Sequence, residues 1–165
     1  MKRVVIFPGT MLLAAVLLLS GLAPAVAAGA TMYSFNLDPP NTAENSSGET
    51  IRLTGSGTFE TGGRGSVVAS GSFTDFNSAG AVVARGTWQA TAFNSFDAFG
   101  GPNPGTQGGV LDITVTLFPN RGAPVTGVPM EVTCVVNSPG GFEEGTTVGD
   151  FTEKTGGTTL FHLQD

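Results

Sequence analysis

One four-residue pattern occurs three times in succession: any residue, then Gly, then a hydroxyl residue, then an aromatic ring. Its copies are Ser56-Gly57-Thr58-Phe59, Ser70-Gly71-Ser72-Phe73 and Arg85-Gly86-Thr87-Trp88, spaced 14 and 15 residues apart. That interval holds one strand and one tight turn, the unit of an antiparallel meander, and is too short for a solenoid or propeller repeat. Residues around each copy alternate with period two, which an extended strand turns into two distinct faces. Ile51, Leu53, Gly55, Gly57 and Phe59 face one way, and Arg52, Thr54, Ser56, Thr58 and Glu60 the other. Val67, Ala69, Gly71 and Phe73 oppose Ser66, Ser70, Ser72 and Thr74, and Val82, Ala84, Gly86, Trp88, Ala90 and Ala92 oppose Arg85, Thr87, Gln89 and Thr91. Each strand pairs a small or aromatic inner face with a Ser/Thr-rich outer one. No stretch after residue 28 sustains a helical period.

The turns suggest a register. Thr61-Gly62-Gly63-Arg64 and Asn77-Ser78-Ala79-Gly80 carry residues that tolerate positive φ. Hairpins centred on them place Gly55, Gly71 and Gly86 in one row, with Trp88 opposite Ala69 and Phe73 opposite Leu53 and Ala84. A glycine row lets an antiparallel sheet coil sharply and close. Ala84-Arg85-Gly86-Thr87 resembles the dirigent and allene oxide cyclase barrels over those four residues, which implies a small secreted barrel and transfers no site.

The rest of the chain follows the same style. Tyr33, Phe35 and Leu37 mark a first strand, and Asp38 to Glu49 reads as a polar loop. Phe93, Phe96 and Phe99 break the alternation by recurring every third residue, a spacing that suits a helical turn or a bulged strand; the stretch is read as a strand. Leu111, Ile113, Val115 and Leu117 then face Met130, Val132, Cys134 and Val136 across a loop from Pro119 to Gly127. Matching the apolar faces puts Leu117 opposite Met130 and Ile113 opposite Cys134. Two more short strands follow, at Phe151 and at Thr158 to Leu163, divided by Lys154-Thr155-Gly156-Gly157. The expectation is an all-β, antiparallel meander of eight or nine strands closing into a small barrel, with a β-sandwich as the alternative. Long loops are expected at Gly100 to Gly109 and at Asn137 to Gly145.

The N-terminus reads as an export signal. Lys2-Arg3 precede an apolar run from Met11 to Leu19, and Pro24 then Ala25-Val26-Ala27-Ala28 supply a breaker and small residues for cleavage after Ala27 or Ala28. Residues 1–28 are therefore expected to be a signal peptide and 29–165 a single domain, secreted or periplasmic in a bacterium and free of the membrane after cleavage. Losing Lys2 and Arg3 takes the net charge from −6 to −8. So acidic a chain lacks the footprint for nucleic acid or an anionic membrane.

Few residues offer chemistry. One Cys and one His exclude disulfide scaffolds and zinc fingers. His162 reads as an edge-strand histidine, and Cys134, on an apolar face, as a small hydrophobe. Glycosidases need two carboxylates, and Asp112 and Glu131 lie on neighbouring strands. Glu143, Glu144, Asp150 and Glu153 gather near one loop, without a calcium-loop motif. No glycine-rich stretch opens a helix, so no phosphate cradle and no cofactor is expected. Asn45-Ser46-Ser47 matches a glycosylation acceptor.

The inner faces are the most informative feature. Phe59, Phe73 and Trp88, beside Gly71 and Gly86, would line a ligand space for a small apolar molecule if the barrel is open. If it is filled, the small residues seat those same rings. The functional expectation is thus a non-enzymatic exported binding protein. The alternatives are a structural or surface-interaction protein of the envelope and, last, a carboxylate-based hydrolase.

Overall fold

The computed structural model describes residues 29–103 and 105–164, and the predicted signal, 1–28, lies outside them. Ten strands form, with no helix among the described residues. They are β1 (Thr31–Asn36), β2 (Asn41–Glu44), β3 (Thr50–Thr61), β4 (Ser66–Phe76), β5 (Val82–Gly100), β6 (Thr106–Pro119), β7 (Val125–Cys134), β8 (Gly145–Val148), β9 (Glu153–Gly156) and β10 (Leu160–Gln164). All belong to one antiparallel sheet. Following hydrogen-bonded neighbours from β1 through β3, β4, β5, β6 and β10 leads back to β1. Two strands divide an edge: β3 pairs with β1 over residues 56–61 and with β2 over 50–53, while β6 pairs with β10 at its start and then with β7.

The count is ten rather than the expected eight or nine. Asn41–Glu44, read as loop, is β2, and Glu153–Gly156, read mainly as a break, is β9. Phe151 contributes a single bridge to Val148. The first hairpin has the expected register, with Gly55 opposite Gly71 and Leu53 opposite Phe73. The second does not: Gly71 faces Trp88 and Phe73 faces Gly86, so Gly86 leaves the glycine row and Trp88 leaves Ala69. The Asn77 side chain explains the shift. Its Oδ1 accepts the N–H groups of Ala79 (3.1 Å) and Ala81 (2.9 Å), which builds a wider loop, and a bulge at Asp75/Phe76 adds to it. In the β6–β7 hairpin Ile113 faces Met130 and Gly109 faces Cys134, because β7 begins at Val125, inside the expected loop.

Both hairpin shifts are even in number, so the paired strands keep their expected faces. Val82 and Ala92, expected inward, are exposed because each lies past a register irregularity of β5. The third-residue spacing of phenylalanines has a plain cause. β5 runs unbroken to Gly100 but carries irregularities at Ala90/Ala92, Phe93/Ser95 and Ala98/Gly100. Each extra residue advances the alternation by one, so Phe93, Phe96 and Phe99 are all half-buried.

One core joins the strands. Phe59 is its centre on the β1 side, with ring centroids 5.2 Å from Tyr33, 4.8 Å from Phe96, 5.7 Å from Phe161 and 6.1 Å from Phe93. These offset and edge-on contacts are the favoured geometries of aromatic pairs. Leu37, Ile51, Leu53, Leu111, Ile113, Val115, Met130 and Val132 fill the remainder.

Candidate functional site

The five positions expected to line a ligand space divide into two ring-on-glycine pairs and one ring apart. Trp88 is 1% exposed and lies across Gly71 and Gly55. Because neither glycine has a side chain, the indole crosses all of β4 and its Nε1–H donates to the Thr54 carbonyl on β3 at 2.9 Å. A Cβ on Gly71 would stand 2.6 Å from that nitrogen, and one on Gly55 2.6 Å from the Ser70 carbonyl oxygen. Phe73 (6% exposed) packs on Gly86, where a Cβ would come within 2.8 Å of its ring. Phe59 stands apart from both in the aromatic cluster. The rings therefore rest on the small residues beside them.

The outer face of the same strands is a continuous polar surface. Asn36, Ser56, Ser70 and Gln89 align across four strands and end at the buried Thr116 of β6, and Thr54, Ser72, Thr87 and Phe118 form the next row. Thr54 and Ser72 share a hydrogen bond of 2.7 Å. Val68, 77% exposed, and the exposed ring of Phe118 rise from this short-chained surface. Shallow depressions lie between them around Ser70 and Gln89. A third row runs Thr42, Arg52, Thr74 and Arg85. Arg52 stacks on Phe76, 5.5 Å from the ring centroid. Parity had marked Arg52 and Arg85 as outward, but only the true register shows that they flank Thr74.

The predicted carboxylate pair, Asp112 and Glu131, are direct cross-strand partners. Both are engaged: Asp112 accepts from Ser95 Oγ at 3.0 Å, and Glu131 pairs with Lys154 Nζ at 2.6 Å. Lys154 also donates to Thr133 Oγ1 at 2.7 Å and to the Glu143 carbonyl at 3.1 Å. Glu144 holds two backbone N–H groups, of Val135 (2.7 Å) and Thr159 (2.6 Å). Fully buried Asn41 accepts from Thr146 Oγ1 at 3.2 Å and donates to the Thr158 carbonyl at 3.2 Å. Sequence reasoning missed these ties, because Lys154 and Asn41 stand in segments read as turn and loop. Asn45 of the glycosylation match is spent on its turn, its Oδ1 accepting from Ser47 and Glu49.

His162 is exposed between Ser34 and Thr106. Cys134 is free and buried, and burial pushes its thiol pKa up. Asp75 lies on the inner-face parity of β4 with Oδ1 enclosed and unpartnered. Burial raises its pKa, and the charges of Glu49 and Asp150 add to the rise. Among the described residues no cluster of three or more His, Cys, Asp or Glu is placed to hold a metal ion. At the β1 end, Tyr33, Leu163, Asn103 and Gln107 line an open recess beside Gly101 and Pro102. Comparison of the chain with protein-family models, with curated proteins and with solved structures gives no match, so the reading of function rests on the site itself.

Proposed function

We propose that this chain is a non-enzymatic interaction protein of the cell exterior, which meets another macromolecule with the outer face of β3, β4, β5 and the end of β6. The carrying observation is that face, with its rows of hydroxyls and the exposed Val68 and Phe118. Apolar side chains isolated on a flat polar surface gain from being covered, and short hydroxyl side chains lose little rotamer freedom when a partner orders them. The packing of Trp88 on Gly71 and Gly55 and of Phe73 on Gly86 favours an exterior site over an interior one. The ring of pairings that returns to β1 supports a closed barrel of six strands, with β2 and β9 on one flank and β7 and β8 on the other. Export remains part of the proposal, and N-terminal sequencing of protein recovered outside the cytoplasm should begin at Ala28 or Gly29.

The direct test substitutes the face without touching the core. Val68→Glu with Ser70→Glu should abolish retention on envelope material of the exporting cell and leave the melting temperature within a few degrees of wild type. Unchanged retention would overturn the reading.

A second reading, a small apolar molecule at the mouth of the barrel, is favoured by the recess where Tyr33 and Leu163 face each other. Native mass spectrometry before and after organic extraction separates the two. An adduct lost on extraction supports the mouth, and a bare mass supports the face.

A further inference from the structure

We infer that the row through Thr74 takes the carboxylates of an acidic, uronate-bearing polysaccharide, an inference that rests on the outer face being the interaction surface. Arg52 and Arg85 flank Thr74 on adjacent strands. Two strand spacings separate them, about 10 Å. The row continues through Thr42 to Thr155, whose hydroxyls are 3.1 Å apart, and on the other side to Asn120, whose N–H donates to the Arg85 carbonyl at 2.7 Å. No residue named in this row is acidic, although the chain carries 13 acidic residues against 7 basic. The single ion pair among the described residues is Lys154–Glu131, so neither arginine has a carboxylate partner.

With no carboxylate against either guanidinium, an incoming anion displaces no existing ion pair. A guanidinium offers a carboxylate two parallel N–H bonds. Arg52 is already oriented for this by the Phe76 ring beneath it. Beside the arginines, Thr54, Ser72 and Thr87 present hydroxyls that can both donate to and accept from sugar hydroxyls. Charge density selects the polymer. Duplex DNA carries a charge about every 1.7 Å, and a chain with net charge −6 would be repelled by so dense a polyanion. Two arginines among hydroxyls suit a chain with one carboxylate and several hydroxyls in each unit.

The test is affinity electrophoresis of the protein through gels containing polygalacturonate, dextran or polyphosphate. Polygalacturonate should retard it, dextran should not, and added NaCl should weaken the effect. Arg52→Gln with Arg85→Gln should weaken retention at least tenfold at an unchanged melting temperature. Arg52→Lys with Arg85→Lys should fall between, since charge persists without the bidentate fork. Arg64→Gln, at the remote Gly63–Gly65 turn, should behave as wild type. Equal retardation by dextran, stronger retardation by polyphosphate, or wild-type behaviour of the double Gln variant would each overturn the inference. If that variant stays wild type while Val68→Glu with Ser70→Glu releases the protein from the envelope, the inference alone fails. If neither variant releases it, the functional reading fails as well.

Discussion

The two margins where the sheet comes together are joined by different chemistry. On one, β1 fits between β3 and β10, pairing with six residues of the first and five of the second, and backbone bonds run through the junction. Six rings pack behind it, from Tyr33 to Phe161. On the other, β9 pairs only with β2 and β8 only with β7, and the two strands approach without pairing. Side chains span that gap: Asn41 from β2 to Thr146, Lys154 from β9 to Glu131 and Thr133, and Glu144 to the backbone on either side. A ladder spreads its strength over many equivalent bonds, whereas three side chains concentrate it in three residues. The side-chain margin should therefore open first. Hydrogen exchange should find the amides of β8 and β9 exchanging sooner than those of β1 and β10.

Substitutions can break this contrast, starting from the largest effect. Phe161→Ala removes a buried ring from the ladder margin and should cost about 3–5 kcal/mol in chemical denaturation. Asn41→Ala strips partners from the Thr146 hydroxyl and the Thr158 carbonyl, and should cost about 2–3 kcal/mol. If both cost the same and quench exchange protection evenly, the margins are one cooperative unit.

The ion pair sharpens the point, because its two halves are not equally exposed: the Lys154 side chain is 9% exposed and Glu131 39%. Glu131→Gln leaves a nearly buried ammonium with only neutral partners and should cost about 2 kcal/mol. Lys154→Met leaves a carboxylate that water can reach and should cost about 1 kcal/mol or less. Equal costs would mean that the ammonium is solvated.

The smallest effect is a matter of pH. Folding raises the pKa of Asp75 above its ordinary 3.8, through burial first and then Glu49 and Asp150. The folded state thus holds this proton more tightly than the unfolded chain, and stability from this group falls as pH rises through that interval. Asp75→Asn should raise the melting temperature at pH 7, with the gain vanishing below about pH 4. A gain that persists in acid would point to packing rather than charge.

What could be read in the chain follows the same division. The ladder elements announce themselves by period two, and even the misplaced hairpins preserved inside and outside, since their shifts were even, except at Val82 and Ala92 beside the β5 irregularities. The β3–β4 register was legible because Gly62 and Gly63 make a tight turn. The β4–β5 register was not, because one side chain, Asn77, sets the loop width, and side-chain capping leaves no trace in periodicity. β2 escaped because its inward positions are Asn41 and Ala43: a buried polar residue looks like a loop until its partners, more than a hundred positions away, are known. The site was legible to the same extent. Phe59, Phe73, Trp88, Gly71 and Gly86 were recognised as inward neighbours, but which ring rests on which glycine depended on two residues of register. The arginine row was hidden for the same reason.

The indole lying over Gly71 gives the molecule a built-in optical gauge. Trp88 is the chain's single tryptophan and is shielded from water, so its emission should be blue-shifted and should report on one thing, the closeness of β3, β4 and β5. Loosening at the side-chain margin should leave that colour unchanged while far-ultraviolet ellipticity already falls, and the interval between the two curves would measure how independently that margin melts.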